Sequence, residues 1–373
     1  MSKKYTLNKT SIINKSVFNV IGVMSGTSLD GIDLCYARFE QLDSWKFKII
    51  DVQTVDYPQK WIELLQNAIL LSPSKLVQLD TNYTLFLSKV ISNFIKKHPE
   101  VTIDAVCSHG HTVFHKPKLG MTLQIGNLPD LSNYLNQTVV CDFRTQDVRL
   151  GGQGAPLVPV GDALLFSEYE YCINIGGFAN ISYEKNNERI AFDICPVNIV
   201  MNHYAKTIGL QYDSEGNRAL KGTVCSPLLD KLNSLKFYTT PFPKSLGLEW
   251  VQEYIFPLID SYELSVDSIL RTVVEHSAFQ ITKILKGINL KKGLFTGGGV
   301  YNTFLMNRIQ SLSNHEIVKA NADIIEFKEA LIFGFLGVLK LKEIPNCLSS
   351  VTGASYDHVS GCVYLPKNII NSV

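Results

Sequence analysis

The chain has 373 residues, enough for two lobes of roughly 150 to 200 residues each rather than one core. Its 35 Lys and Arg against 34 Asp and Glu give a formal net charge of +1, which argues against nucleic acid as a partner and favours small, discrete ligands. Eight cysteines, at 35, 107, 141, 172, 195, 225, 347 and 362, lie mostly in apolar runs without Cys-x-x-Cys spacing, the pattern of buried thiols in a reducing compartment and not of a structural zinc site.

Residues 1–16 carry Lys3, Lys4, Lys9 and Lys15 and no apolar core of signal-peptide length, so they read as a loose cytoplasmic leader. Residues 17–57 read as a strand meander. Residues 59–98 carry helical apolar spacing, as in Leu64, Leu65, Ile69 and then Leu85, Val90, Ile91, Phe94, Ile95. A short strand at 105–107 follows, then strands near 121–125, 138–142, 171–175, 180–183 and 190–194, with helices near 128–136, 197–208 and 226–236. A long helix around 264–287, a strand at 294–295, and helices near 302–312 and 326–342 complete the pattern. Strands mixed with helices predict an α/β protein. The longest apolar block, Ala330 to Leu339, falls far short of the ~20 residues that span a bilayer.

Three glycine turns recur. Ile21 to Asp33 places Ser25, Gly26, Thr27, Ser28, Leu29, Asp30 and Gly31 between two apolar runs, a hairpin whose amides and hydroxyls suit phosphate and whose carboxylates suit a magnesium shell. Asn174-Ile-Gly-Gly-Phe-Ala-Asn180 separates two strands, and Thr296-Gly-Gly-Gly299 follows a strand and precedes a helix near Asn302. Each alone also suits an ordinary turn; together, two phosphate hairpins and a nucleoside turn form one set. No Gly-Lys dipeptide and no Gly-x-Gly-x-x-Gly opening a helix occurs, so any ATP site is of the two-lobed kind.

The densest polar segment is Cys141 to Pro159. Asp142 ends an apolar strand and is the leading general base; its alternative is an ion pair with Arg144 or Arg149, either of which would otherwise hold a substrate carboxylate. Ser108-His-Gly-His-Thr-Val-Phe-His115 places histidines at alternate strand positions, read as hydrogen-bonded groups of a cleft and not as metal ligands. Asp193 either approaches magnesium or the sugar, or caps the helix near Val197. Glu326 and Glu329 precede or open the last helix, where the default is a solvated face.

These segments resemble the anhydro-N-acetylmuramic acid kinase family, sugar kinases of the actin/hexokinase/Hsp70 superfamily. The carrying motifs are Gly22 to Asp33, Ser108-His109-Gly110 with Thr112 and His115, Asp142-Phe-Arg144, Gly151 to Pro159, Asn174 to Asn180, Gly297 to Gly299 with Asn302, and Ser350 to Ala354. The resemblance implies a two-lobed actin-like (ribonuclease H-like) α/β fold with a central interlobe cleft: residues 17–137 plus about 345–373 in one lobe and about 138–344 in the other. It implies ATP contacts at Gly26, Thr27, Ser28, Leu29, Asp30, Gly31, Ile32 and Asp33, with Asn174, Gly176, Gly177, Gly297, Gly298 and Gly299. Asp142 becomes the catalytic base, Ser25, His109, Thr112, Arg144, Asp193 and Glu326 face the sugar, and Asp30 and Asp193 attend Mg2+. The implied enzyme is a cytoplasmic homodimer that opens 1,6-anhydro-N-acetylmuramate with water and phosphorylates it in cell-wall recycling. A kinase for a related amino or anhydro sugar and a catalytically inactive nucleotide-binding regulator are the alternatives. The chain departs from the family pattern at His111, Cys195, Val197, Asn202 and Leu248.

Overall fold

The computed structural model describes residues 13–26 and 28–367. The chain divides into two compact units, Met1–Leu165 with Phe327–Val373, and Phe166–Glu326. These divisions differ from the expected 137/138 and 344/345, because the strand before Asp142 pairs into the first sheet and the last helix packs there too.

In the first unit β1 (Val17–Ser25), β2 (Ile32–Gln41) and β3 (Trp45–Val55) form the expected meander, followed by β4 (Ala105–Lys116), β5 (Met121–Ile125), β6 (Val139–Cys141) and, near the carboxy terminus, β12 (Cys362–Tyr364). The sheet order is β12-β6-β4-β1-β2-β3, with β5 on β4. β1–β2 and β2–β3 pair antiparallel, whereas β1–β4 and β4–β6 are parallel. Expected only over 105–107, β4 extends through the whole histidine segment, because the polar residues beyond Cys107 pair with β5 and are not exposed as a loop. The helical spacing of 59–98 resolves into Gln59–Gln66 and Pro73–Ile95, separated by residues 67–72, with proline at the second helix's first position, which it suits. The second helix turns Tyr83, Leu87, Val90, Ile91 and Phe94 onto one face of the sheet, against Ile21, Leu34 and Val106. On the other face, the helix Ala322–Leu341 approaches so closely that a Cβ at Gly22 would stand 1.8 Å from the Ala330 carbonyl oxygen. Only glycine at 22 admits that contact.

In the second unit β7 (Tyr171–Ile175), β8 (Phe178–Lys185) and β9 (Glu188–Pro196) form another antiparallel meander, and β10 (Lys292–Thr296) and β11 (Glu316–Lys319) join it in parallel, in the order β11-β10-β7-β8-β9. This repeats the β6-β4-β1-β2-β3 order of the first unit. Two copies of a three-strand meander extended by parallel strands constitute the actin-like, ribonuclease H-like fold. The helix Val266–Gly287 begins where the Ser265 side chain accepts from the Ser268 N–H and packs Leu270, Val274, Ala278 and Ile281 into the core with Ile173, Ile181 and Phe295. Among the described residues no helix is long and apolar enough to cross a membrane.

Candidate active site

Parallel pairing brings Ser25 opposite His111 and Ser108 opposite Cys141, so the first glycine turn, the histidine segment and Asp142 share one edge of the first sheet. β1 and β2 stay paired up to Ser25 and Ile32, which confirms the first turn as a hairpin. Ser28 and Asp30 are exposed there, Gly26 and Leu29 partly so, and Leu29 takes the left-handed conformation at φ 61°. Ile32 is fully buried, paired between Ser25 and Val55; Asp33 accepts from Thr54 Oγ1 at 2.6 Å. Thr27 lies outside the described residues.

Ser25 is sealed beneath the turn, 1% exposed, with its hydroxyl 2.7 Å from Tyr83 Oη and accepting from Tyr57 Oη at 2.9 Å. Its expected contact with the sugar is therefore replaced by a three-hydroxyl cluster under the hairpin. His111 is buried beside it and donates to the Gly26 carbonyl; burial drives its pKa down to about 4.

Asp142 stands immediately after β6 at φ 57°, a conformation that a non-glycine residue holds only at a cost and that is concentrated at functional sites. Its Oδ1 accepts from Thr145 Oγ1 at 2.5 Å, and the Cys362 thiol is 3.9 Å from Oδ2. Among the described residues it makes no ion pair. Arg144 points elsewhere: its Nε donates to His109 Nε2 at 2.8 Å and its Nη1 to the Gly154 carbonyl at 2.6 Å, with the guanidinium over Phe333. His109 donates from Nδ1 to the Gly110 carbonyl at 2.8 Å, so it is neutral with its tautomer fixed; burial and the Arg144 charge hold its pKa well below the ordinary value. Thr112 accepts weakly from Gln124 Nε2 at 3.4 Å.

Glu329, solvent-accessible on the last helix, senses both Arg144 and Asp33. Desolvation raises its carboxyl above the usual range, Arg144 opposes that, and Asp33 adds to it. Its exposure matches the solvated face expected from the sequence; the coupling to Arg144 and Asp33 comes from the fold.

In the second unit Asn174 lies opposite Thr296, which brings the second and third glycine turns side by side at the ends of β7 and β10. The hairpin turn is strapped to the helix Asn198–Lys206: the Val197 and Ile199 N–H groups donate to the Gly177 carbonyl, and Asn198 N–H to that of Gly176. Gly297 sits at φ 80°, ψ 155°, a region essentially confined to glycine, and a Cβ there would stand 2.6 Å from Asn174 Oδ1. Gly298 and Gly299 then open a short helical turn ending at Tyr301, and Asn302 caps the helix Thr303–Leu312 by accepting from Leu305 N–H at 2.9 Å.

Two expected residues of this unit are engaged differently. Asp193 lies within β9 and accepts from the Leu246 N–H at 2.7 Å, so it tethers the 244–247 segment and does not cap the helix near Val197; burial raises its pKa. Glu326 is exposed and bonds the Tyr301 hydroxyl, whose pKa rises to about 12 by burial and that carboxylate. Cys195 and Val197, where the family pattern has glycine, are fully buried in the core of this unit.

A model of the family described as anhydro-N-acetylmuramic acid kinase matches residues 18–366. The chain is similar to the anhydro-N-acetylmuramic acid kinase of Pseudomonas syringae pv. syringae, with 32% identity over 93% of this chain and 99% of that one. It is likewise 33% identical to that of Bacillus cereus over 93% and 99%, and 31% identical to that of Haemophilus influenzae over 96% and 100%. Among solved structures, component A of the Acidaminococcus fermentans (R)-2-hydroxyglutaryl-CoA dehydratase matches 87% of this chain and 99% of its own at 11% identity and a TM-score of 0.44, too loose to carry an argument.

Proposed function

The chain belongs to the anhydro-N-acetylmuramic acid kinase family, and on that premise we propose that it converts 1,6-anhydro-N-acetylmuramate, ATP and water to N-acetylmuramate 6-phosphate and ADP in peptidoglycan recycling. The observation that carries the reading is Asp142: a strained carboxylate without an ion pair among the described residues, on the sheet edge that also bears the exposed hairpin turn.

Thr145 fixes one carboxylate oxygen and thereby orients the other. The carboxylate takes a proton from water as the water oxygen bonds to the anomeric carbon. The bond from that carbon to O6 breaks, and O6 takes the γ-phosphoryl group as ADP leaves; the proton on Asp142 then passes to solvent. Each step needs a positioned base and a held phosphate. The exposed Ser28 and Asp30 of the first turn suit phosphate, and in the second unit the paired turns at Asn174 to Gly177 and Gly297 to Gly299 offer main-chain groups that suit a nucleotide. Arg144, with two of its N–H groups committed to His109 and Gly154, retains Nη2 for the acid group of the sugar.

The exposed Asp30 carboxylate and the Ser28 hydroxyl of the same turn fit a hydrated Mg2+. Such an ion would supply neutralisation of phosphate charge. The eight free cysteines suit a cytoplasmic protein, and we assign a homodimer by family likeness, to be checked by light scattering.

The test is ADP release on addition of 1,6-anhydro-N-acetylmuramate in heavy-oxygen water. Label should enter the sugar at the anomeric carbon, and Asp142→Asn should lower kcat by about 10²- to 10⁴-fold. Unchanged turnover in that variant would refute the assignment of the base. Parallel trials with other anhydro and amino sugars decide substrate identity, and ADP release with none of them would favour the nucleotide-binding regulator.

A further inference from the structure

The spacing of the cysteines gives no sign of a metal site, yet the fold gathers one cysteine with a histidine and an aspartate far apart in sequence. Asp147 belongs to the short helix Thr145–Arg149, and Cys347 and His358 pair across an isolated antiparallel bridge near the carboxy terminus. Their side chains are buried, at 0%, 1% and 4% exposure, and one donor atom from each lies within 4.8 Å of the others.

The hydrogen bonds define what stands between them. His358 Nδ1 is 3.1 Å from the Tyr356 carbonyl oxygen, an acceptor only, so Nδ1 carries the proton. That leaves Nε2 directed at Asp147 Oδ1 at 3.6 Å, without a hydrogen-bond partner. The two Asp147 oxygens are otherwise supplied by Thr352 Oγ1 at 2.7 Å and the Gly154 N–H at 2.6 Å. Nε2 thus faces a carboxylate oxygen across a buried space at a distance too long for a hydrogen bond. A cation held between them would pair both groups.

We propose that Asp147 Oδ1, Cys347 Sγ and His358 Nε2 form a transition-metal site of the zinc class. Tetrahedral ligands about 2.0 to 2.3 Å from an ion stand about 3.3 to 3.6 Å apart, and the oxygen–nitrogen separation already meets that spacing. Cys347 completes the set by a shift of about 1 Å, and a fourth position remains for an exogenous oxygen. Nitrogen and sulfur donors select zinc or cobalt over magnesium, so this site is chemically distinct from any phosphate-bound magnesium. Binding exchanges the thiol proton for the ion, the proton passing to solvent, and one carboxylate and one thiolate then balance a divalent charge. The ion would tie the helix that follows Asp142 and Arg144 to the carboxy-terminal segment.

The experiment uses the full-length protein, stripped with a chelator and titrated with Co2+ and then Zn2+ in the presence of excess Mg2+. Expected are a cobalt–thiolate absorption that saturates at one ion per chain and is displaced by zinc, loss of that absorption in Cys347→Ser, and zinc affinity lowered more than about 100-fold in His358→Gln. A wild-type protein that shows no cobalt–thiolate absorption would overturn the proposal, leaving a proton between His358 and Asp147. An absorption that persists in Cys347→Ser would overturn it equally, by placing the ion on another cysteine. The wild-type spectrum decides even if a variant fails to fold, and neither result depends on the kinase reaction.

Discussion

His111 offers a quantitative test of how the first hairpin is held. The ring is 3% exposed and donates to the Gly26 carbonyl, and its pKa is down to about 4 in the folded protein against an ordinary value near 6.5. At pH 7 both folded and unfolded chains keep it neutral. As pH falls below 6.5 the unfolded chain takes up a proton that the folded chain refuses until about pH 4, so stability is lost through that window, at up to about 1.4 kcal/mol per pH unit. Integrated from pH 7 to 4.5, this one ring costs about 2 kcal/mol. His111→Gln keeps a side-chain N–H for Gly26 and removes the titration. Urea unfolding at the two pH values should therefore show the wild type losing about 2 kcal/mol more than the variant. The two units need separate reporters. Trp61, 5.4 Å edge-on from Tyr83 beneath the hairpin, serves the first unit in a Trp45→Phe, Trp250→Phe background. Equal losses in the two proteins would show that His111 is not held neutral by the fold, and the account of the turn's support would fail.

Lys328 and Asp162 form an ion pair at 2.7 Å with both side chains 6% exposed; Lys328→Met should leave a buried carboxylate and cost about 3 to 5 kcal/mol in unfolding experiments. Gly297→Ala forces a Cβ to 2.6 Å from Asn174 Oδ1 at a glycine-only conformation, so the KM for ATP should rise while that for the sugar changes little; an equal rise in both would detach this turn from the nucleotide. Arg144→Lys loses the Nε donor to His109, and should lower kcat/KM for the sugar with ATP affinity unchanged, since a point charge cannot replace the fork that joins His109 to Gly154.

Much of this arrangement was legible in the chain. Alternating apolar residues around Ser25 to Asp33 and Asn174 to Asn180 marked both hairpins, and the apolar run Val139–Cys141 marked the strand that Asp142 follows, because strand periodicity and turn chemistry are local properties. What escaped depends on partners distant in sequence. β12 is three residues long and is defined only by pairing with β6 across more than two hundred residues, and β11 is a strand only because β10 lies beside it. The full length of β4 is set by β5, which pairs with its polar half. Ser25 looked like a ligand group because a hydroxyl in a glycine turn is ordinarily exposed; Tyr57 and Tyr83, from other elements, bury it. The coupling of Glu329 to Arg144 and Asp33 and the Asp147–Cys347–His358 group escaped for the same reason, since no spacing rule links residues that meet only through the fold.

The repeated strand order explains why the chemistry divides as it does. Each unit presents a hairpin between its first and second strands, and each places the end of a parallel fourth strand beside it. Open α/β sheets bind ligands at the carboxyl ends of such strands, because there the loops are free to vary while the strands fix their origin. In the second unit that neighbouring position is Gly297, whose backbone approaches Asn174 so closely that no side chain fits, which leaves a surface of main-chain groups. In the first unit the corresponding strand carries His109 and His111, and the next one ends in Asp142, so the same edge offers titratable side chains instead. A backbone-lined edge suits a ligand that requires shape and amide donors, and a side-chain edge suits proton transfer. The proposed roles, main-chain contacts to a nucleotide at the second unit's turns and proton transfer beside the first unit's phosphate turn, rest on what the same scaffold exposes at equivalent places, and Gly297→Ala and Asp142→Asn test them independently.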